Sequence, residues 1–187
     1  LHKSNKVCFE YLKGNLIKQD SYEMYESDRV SRTLESYNLD EKVLYENING
    51  DMNITGRIIG GCIDVLKDLI GTKYDGTKDF IKKYKDDGII WYFDNFAMNP
   101  DDMYRTLLQM KYAGYFKYTK AVMVGRVCFE GKGKMTYLEA LDLALGDIPY
   151  VMDADIGHII PRFTLINGAM MTLDTYGNKG KISFELK

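Results

Sequence analysis

The chain contains two histidines. His2 stands beside the amino terminus, whereas His158 follows the apolar run Ile148-Pro149-Tyr150-Val151-Met152 through a turn that holds Asp153, Asp155 and Gly157. This pattern predicts a buried strand whose carboxyl end delivers the imidazole, the position where α/β proteins hold reactive side chains rigidly over a crevice. An imidazole so placed can take and return a proton if a carboxylate fixes its other nitrogen. Three carboxylates compete for that role. Asp153 and Asp155 are sequence neighbours, while Asp94 ends a second short apolar run, Ile89-Ile90-Trp91-Tyr92-Phe93. If both strands lie in one sheet and point the same way, Asp94 and His158 emerge on one rim. The plainer reading is a turn histidine that satisfies nearby carbonyls, and the 148–161 stretch taken alone favours it.

A histidine–carboxylate pair that drives hydrolysis also needs a nucleophile. No Gly-x-Ser-x-Gly occurs, and no serine or cysteine stands on a recognisable strand-to-helix elbow. Asp153, Asp155 and His158 are suitable metal ligands by type, but their spacing matches no known site. Gly60-Gly61, between an extended run and a helical one, could offer backbone N–H groups to an anion, which makes both glycines candidate substrate-binding residues. Their spacing fits neither the P-loop nor the dinucleotide fingerprint, and a tight connection explains them equally well.

Composition narrows the classes. At 187 residues, 45% hydrophobic and 28% charged, the chain can bury one good core. A formal charge of −2 leaves no basic footprint for nucleic acid or an anionic membrane. The three cysteines, Cys8, Cys62 and Cys128, are odd in number and widely spaced, which suits a reducing compartment better than a disulfide framework. No apolar run reaches the roughly 20 residues of a membrane span, and none reads as a signal peptide. The chain opens at Leu1 rather than methionine, as a piece of a longer protein would.

The elements that must position these residues follow from periodicity. Residues 3–13 have helical spacing, with Gly14 as a stop. The stretch from Leu16 to about Asn38 is polar and weakly patterned, and reads as a connector outside the core. Val43 to Ile48 and Met52 to Ile59 flank Asn49-Gly50, a strong hairpin signal. Gly60-Gly61 then breaks the strand before a helix from Cys62 to Ile70, and Lys78 to Asp87 reads as a short solvated helix. Asn99, Pro100, Asp101 and Asp102 open a helix with a cap, a first-turn proline and favourable charge. Ala121 to Gly125 is a buried strand, Thr136-x-x-Glu139 a capping box, and Ala169 to Leu173 with Ile182 to Leu186 a terminal hairpin. Together they predict an α/β domain, a mixed sheet with hairpins and flanking helices.

Several segments, in order, resemble one family. They are Arg57-Ile58-Ile59-Gly60-Gly61-Cys62-Ile63-Asp64-Val65-Leu66, Leu69-Ile70-Gly71-Thr72, Gly88 to Asp94, Arg105 with Leu108-Gln109-Met110, Ala113 to Phe116, Val124-Gly125-Arg126 and Asp155-Ile156-Gly157-His158. This order resembles the LD-carboxypeptidases, serine peptidases that include murein tetrapeptide carboxypeptidases and microcin C immunity peptidases. The resemblance runs from Arg57 to the end and more loosely through residues 14–26. It implies a swivelling β/β/α carboxy-terminal domain at 43–187, with residues 1–42 a connector or arm from an amino-terminal domain that this chain lacks. In the family the nucleophilic serine and oxyanion donors lie in that other domain, whereas a histidine and a glutamate come from this one. His158 matches the histidine. Asp94 stands where the family has glutamate, one carbon–carbon bond shorter.

The resemblance further implies hydrolysis of the L–D bond to a terminal D-alanine in cytoplasmic muropeptides during cell-wall recycling, no metal or organic cofactor, and a homodimer. The isolated chain, without serine, is expected to be inactive. A microcin-immunity-type detoxifying peptidase and a peptide-binding pseudoenzyme are the alternatives.

Overall fold

The computed structural model describes residues 6, 13, 17–28 and 37–185. The helix expected at 3–13 lies outside the described residues, apart from its positions 6 and 13. Ten strands and four α-helices are described. The strands are β1 (Ile17–Asp20), β2 (Met24–Tyr25), β3 (Glu41–Lys42), β4 (Glu46–Asn47), β5 (Met52–Cys62), β6 (Ile89–Asp94), β7 (Thr119–Gly125), β8 (Tyr150–Ala154), β9 (Met170–Tyr176) and β10 (Lys179–Glu185). The helices are α1 (Ile63–Leu66, continued by a 3-10 turn at Lys67–Leu69), α2 (Thr77–Lys83), α3 (Pro100–Tyr112) and α4 (Tyr137–Leu145). Eight strands form one mixed sheet in the order β1-β10-β9-β5-β6-β7-β8-β4, while β2 and β3 pair separately. The fold is the expected mixed α/β architecture.

Its centre is four parallel strands, β5 to β8, each joined to the next by a helical crossover. These strands are covered on both faces, which is why Ile89-Ile90-Trp91-Tyr92-Phe93 is continuously apolar. Ile89, Trp91 and Phe93 face a layer with Met103, Leu107 and Met110 of α3 and Leu141 and Ala144 of α4. Ile90, Ala121, Met123 and Val151 face the opposite side, where Ile17, Tyr22, Val43, Tyr45 and Phe163 cover them. Both long helices start as their sequences dictate. Asn99 Oδ1 accepts from the Asp102 N–H at 2.9 Å ahead of Pro100, and Thr136 and Glu139 complete the capping box.

Three local expectations are corrected. Asn49-Gly50 does turn, with Gly50 at φ +83°, but its flanks do not form a hairpin. β4 pairs with β8, while β5 pairs with β9 and β6. Asn49 Oδ1 accepts the Tyr150 N–H at 3.0 Å and ties the turn to β8, and Val43 and Tyr45 are buried beneath the sheet. Gly60-Gly61 does not break the strand either, since β5 continues to Cys62. A Cβ at Gly60 would fall 1.9 Å from the Tyr92 backbone oxygen, so glycine here serves close approach of the neighbouring chain. Finally, the segment expected outside the core contributes to it. β1 is an edge strand antiparallel to β10, and Ile17 and Tyr22 are core residues. The alternation of Ile17 and Gln19 inward with Lys18 and Asp20 outward is a four-residue signal, too short to stand out among polar neighbours.

Candidate active site

β6 and β8 run parallel with β7 between them, so Asp94 and the turn after Ala154 share the carboxyl rim. To reach Asp94 the turn must cross the end of β7. Gly125 makes that possible, because a Cβ there would meet the Ile156 oxygen at 2.5 Å. Gly157, at φ +96°, then lies directly against the Asp94 carboxylate. His158 Nδ1 comes to rest 2.5 Å from Asp94 Oδ2. The approach is close, but Nδ1 makes no aligned hydrogen bond, and Asp94 Oδ1 is buried without a hydrogen-bond partner. The shorter aspartate nevertheless spans the gap.

The two side chains differ in exposure: Asp94 is 8% exposed and His158 36%. Burial raises the Asp94 carboxyl above the ordinary carboxylate range, with His158 pulling it back and Asp64 adding a further push upward. The imidazole packs edge-on to Phe96, with ring centroids 4.9 Å apart. Phe96 is held in turn by Asp64, whose carboxylate accepts the Phe96 and Ala97 N–H groups at 2.9 and 3.0 Å. Asn95 closes the same loop through two hydrogen bonds with the Met98 backbone. Cys62, the last residue of β5, completes the cluster. Its Sγ lies with one nitrogen of His158 and one oxygen of Asp94 in a group whose atoms are all within 4.8 Å of one another.

The other candidates go elsewhere. Asp155 is fully buried and pairs with Arg126 at 2.9 Å, while also accepting the Tyr45 hydroxyl and the Tyr22 N–H. These bonds clamp the His158 turn to the end of β7, to Tyr45 and to the 17–25 segment. Arg126 also lies over the Tyr25 ring, 4.6 Å from its centroid. Asp153, at φ +56°, lines a neighbouring cavity of about 690 Å³ with Glu46, Glu130, Arg126 and Tyr137. Asp153 and Asp155 thus do not join His158 in a ligand set. Gly60 offers no free donor, since its N–H goes to Asn167 Oδ1 and its carbonyl accepts from Asn167 Nδ2, each at 3.1 Å. Gly61 pairs in register with Phe93 within the β5–β6 ladder.

The sequence over residues 55–173 matches the family of LD-carboxypeptidase C-terminal domains. This chain belongs to that family. No curated protein sequence matches it. Among solved structures, the muramoyltetrapeptide carboxypeptidase from Oxalobacter formigenes is 18% identical with a TM-score of 0.69, covering 98% of this chain and 55% of its own. An MccF-like protein from Streptococcus pneumoniae, solved with AMP, is 22% identical with a TM-score of 0.73, covering 98% and 57%. The microcin C7 self immunity protein MccF is 18% identical, also with a TM-score of 0.73, covering 98% and 55%. The chain therefore spans just over half the length of these relatives. Among the described residues no helix is long and apolar enough to cross a membrane.

The residues that sequence reasoning passed over are Cys62, Asp64, Phe96 and Arg126. Cys62, Asp64 and Arg126 stood inside segments that carried the family resemblance, and that was their only signal.

Proposed function

We propose that this chain supplies the histidine–carboxylate half of an LD-carboxypeptidase-type serine hydrolase. The observation that carries the reading is the 2.5 Å approach of Asp94 Oδ2 to His158 Nδ1 at the rim of a domain of this family. In this reading residues 1–42 connect to a serine-bearing domain, docked here through β1, and residues 43–187 form the catalytic-pair domain.

The chemistry follows from the pair. With Nδ1 fixed against Asp94, the other ring nitrogen of His158 takes the proton of the serine hydroxyl as it attacks the carbonyl of the L–D bond. The imidazolium that forms is stabilised by the buried carboxylate. It returns the proton to the departing amine of D-alanine, and then serves water in the same way to release the acyl group. The substrate is a muropeptide ending in D-alanine, processed in the cytoplasm during cell-wall recycling, and the assembly is a homodimer. Gly60 serves substrate binding by letting β5 and β6 approach closely beneath it, with its own N–H taken by Asn167, and Gly61 remains a candidate substrate-binding residue beside it.

A second reading has its own support. MccF has been solved with aspartyl sulfamoyl adenosine and with glutamyl sulfamoyl guanosine. The same pair serving a detoxifying peptidase of that kind is the alternative, and a peptide-binding pseudoenzyme is the non-catalytic one.

The test compares two proteins. The 187-residue chain, incubated with a tetrapeptide ending in D-alanine, is expected to release none. Joined to its serine-bearing domain it is expected to release D-alanine, with His158→Ala lowering the rate by about 10³-fold or more. Release from a sulfamoyl-linked aminoacyl nucleotide in its place selects the detoxifying peptidase, and binding without release selects the pseudoenzyme. Release by the isolated chain that disappears in His158→Ala would place the nucleophile within this domain and end the proposal.

A further inference from the structure

We propose that Cys62, Asp94 and His158 form a binding site for a thiophilic divalent cation of the Zn²⁺ type, whose occupancy withdraws the histidine–aspartate pair from proton transfer. The inhibitory part rests on the function proposed above; the binding itself does not.

Three features carry the site. First, a thiol, a carboxylate and an imidazole converge, and these are the ligand types that together suit zinc. Their donor atoms lie within 4.8 Å of one another, the one such group among the described residues. Around a tetrahedral zinc, ligand atoms sit roughly 3.2–3.8 Å apart, so closure needs shifts of about 1 Å. Cys62 is partly exposed at the end of β5, where such a side-chain adjustment is available. Second, bonding capacity is unspent. The Asp94 side chain is more than nine-tenths buried, its Oδ1 has no hydrogen-bond partner, and His158 Nδ1 lies close to the carboxylate without an aligned bond. Third, the local field is negative. Asp64 stands behind Cys62, accepting from its thiol at 3.6 Å.

Two nearby carboxylates, Asp94 and Asp64, attract a cation to this place, and on binding it displaces the thiol proton of Cys62 to solvent. One proton leaves per ion bound, the thiolate and carboxylate neutralise the ion's two charges, and the imidazole binds neutral. No oxidation is involved. Beneath the ion, the loop that carries Phe96 is fixed by the Asp64 carboxylate, so the site has a rigid floor.

The experiment titrates Co²⁺ into the purified chain and follows thiolate-to-cobalt charge transfer in the near ultraviolet. Saturation at one ion per chain is expected, with the band displaced by Zn²⁺ and lost in Cys62→Ser. His158→Ala is expected to weaken binding at least tenfold. No saturable band, or a band that persists in Cys62→Ser, overturns the site. Should Cys62→Ser fail to fold, alkylation of the unmodified chain decides. Zn²⁺ is expected to slow modification of Cys62, located by peptide mass, at least tenfold while leaving Cys128 unaffected, and equal protection of neither or both overturns the proposal. In the protein joined to its serine-bearing domain, saturating Zn²⁺ is expected to abolish D-alanine release. A cobalt band without that inhibition upholds the site and overturns only its inhibitory role. Absence of hydrolysis altogether, with the band intact, counts against the hydrolase reading alone.

Discussion

Gly157 presses its Cα against the Asp94 carboxylate so closely that a Cβ at position 157 would lie 2.0 Å from Oδ1. The same residue sits at φ +96°, where an L side chain is strained whatever the space. Gly157→Ala is therefore expected to lower stability by about 1–3 kcal/mol and to displace Asp94 from His158. Urea unfolding measures the first effect, and the His158 ring resonances report the second. A variant with unchanged stability and unchanged resonances would mean that the turn does not hold the pair.

The Arg126–Asp155 pair anchors that turn from below. Their side chains are 7% and 0% exposed, and burial raises the Asp155 carboxyl while Arg126 opposes the rise. Arg126→Met strands a buried carboxylate and is expected to cost about 3–5 kcal/mol. Adding Asp155→Asn removes the stranded charge yet keeps an acceptor for the Tyr45 hydroxyl and the Tyr22 N–H. The double variant should then be more stable than Arg126→Met alone. Additive losses in urea unfolding would show that the two side chains do not act as a pair.

Asp153 makes stability depend on pH. Burial, repulsion from Glu46 and a smaller push from Glu130 outweigh the pull of Arg126 and raise its carboxyl to about 6. The folded chain thus holds this proton more tightly than the unfolded chain, whose carboxyl titrates near 3.8. Stability from this group is fully present below about pH 4 and is lost as pH rises to about 6. The loss is roughly 2 kcal/mol once partial exposure is allowed for. Asp153→Asn, which tolerates the φ of +56°, should stabilise the protein by up to about 2 kcal/mol at pH 7.5 and hardly at all at pH 4. Equal effects at both values, read from urea midpoints, would rule this linkage out.

Why the pair was legible and its surroundings were not has a physical basis. Two short apolar runs, each buried on both faces, announce parallel strands, and parallel strands put their carboxyl ends on one rim. That made Asp94 one of three candidate partners for His158, and the family resemblance singled it out. Nothing local, however, encodes the passage of the turn over β7, which depends on Gly125 lying beneath Ile156. Gly60-Gly61 reads the same whether the glycines turn the chain or admit the Tyr92 backbone, and Asn49-Gly50 turns equally well with either pairing of its flanks. The partners of Asp155 lie 29, 110 and 133 residues away, so its role as a clamp was invisible to any sequence window. Cys62 carried no signal beyond its place in a family segment.

Asp94 itself offers the sharpest trial of the proposed chemistry. Burial raises its carboxyl, so the folded state bears a cost for keeping a charge there, and His158 offsets that cost only in part. Asp94→Asn is close in size and keeps an oxygen that can accept from the ring, but it cannot stabilise an imidazolium. In the protein joined to its serine-bearing domain, kcat is expected to fall about 10²–10⁴-fold, with KM little changed, while the melting temperature stays level or rises. Asp94→Glu restores the charge at a longer reach, and is expected to retain far more activity than Asp94→Asn. If the asparagine variant turned over substrate as fast as the aspartate form, the carboxylate would have no part in proton transfer, and the 2.5 Å approach to His158 would be a packing contact.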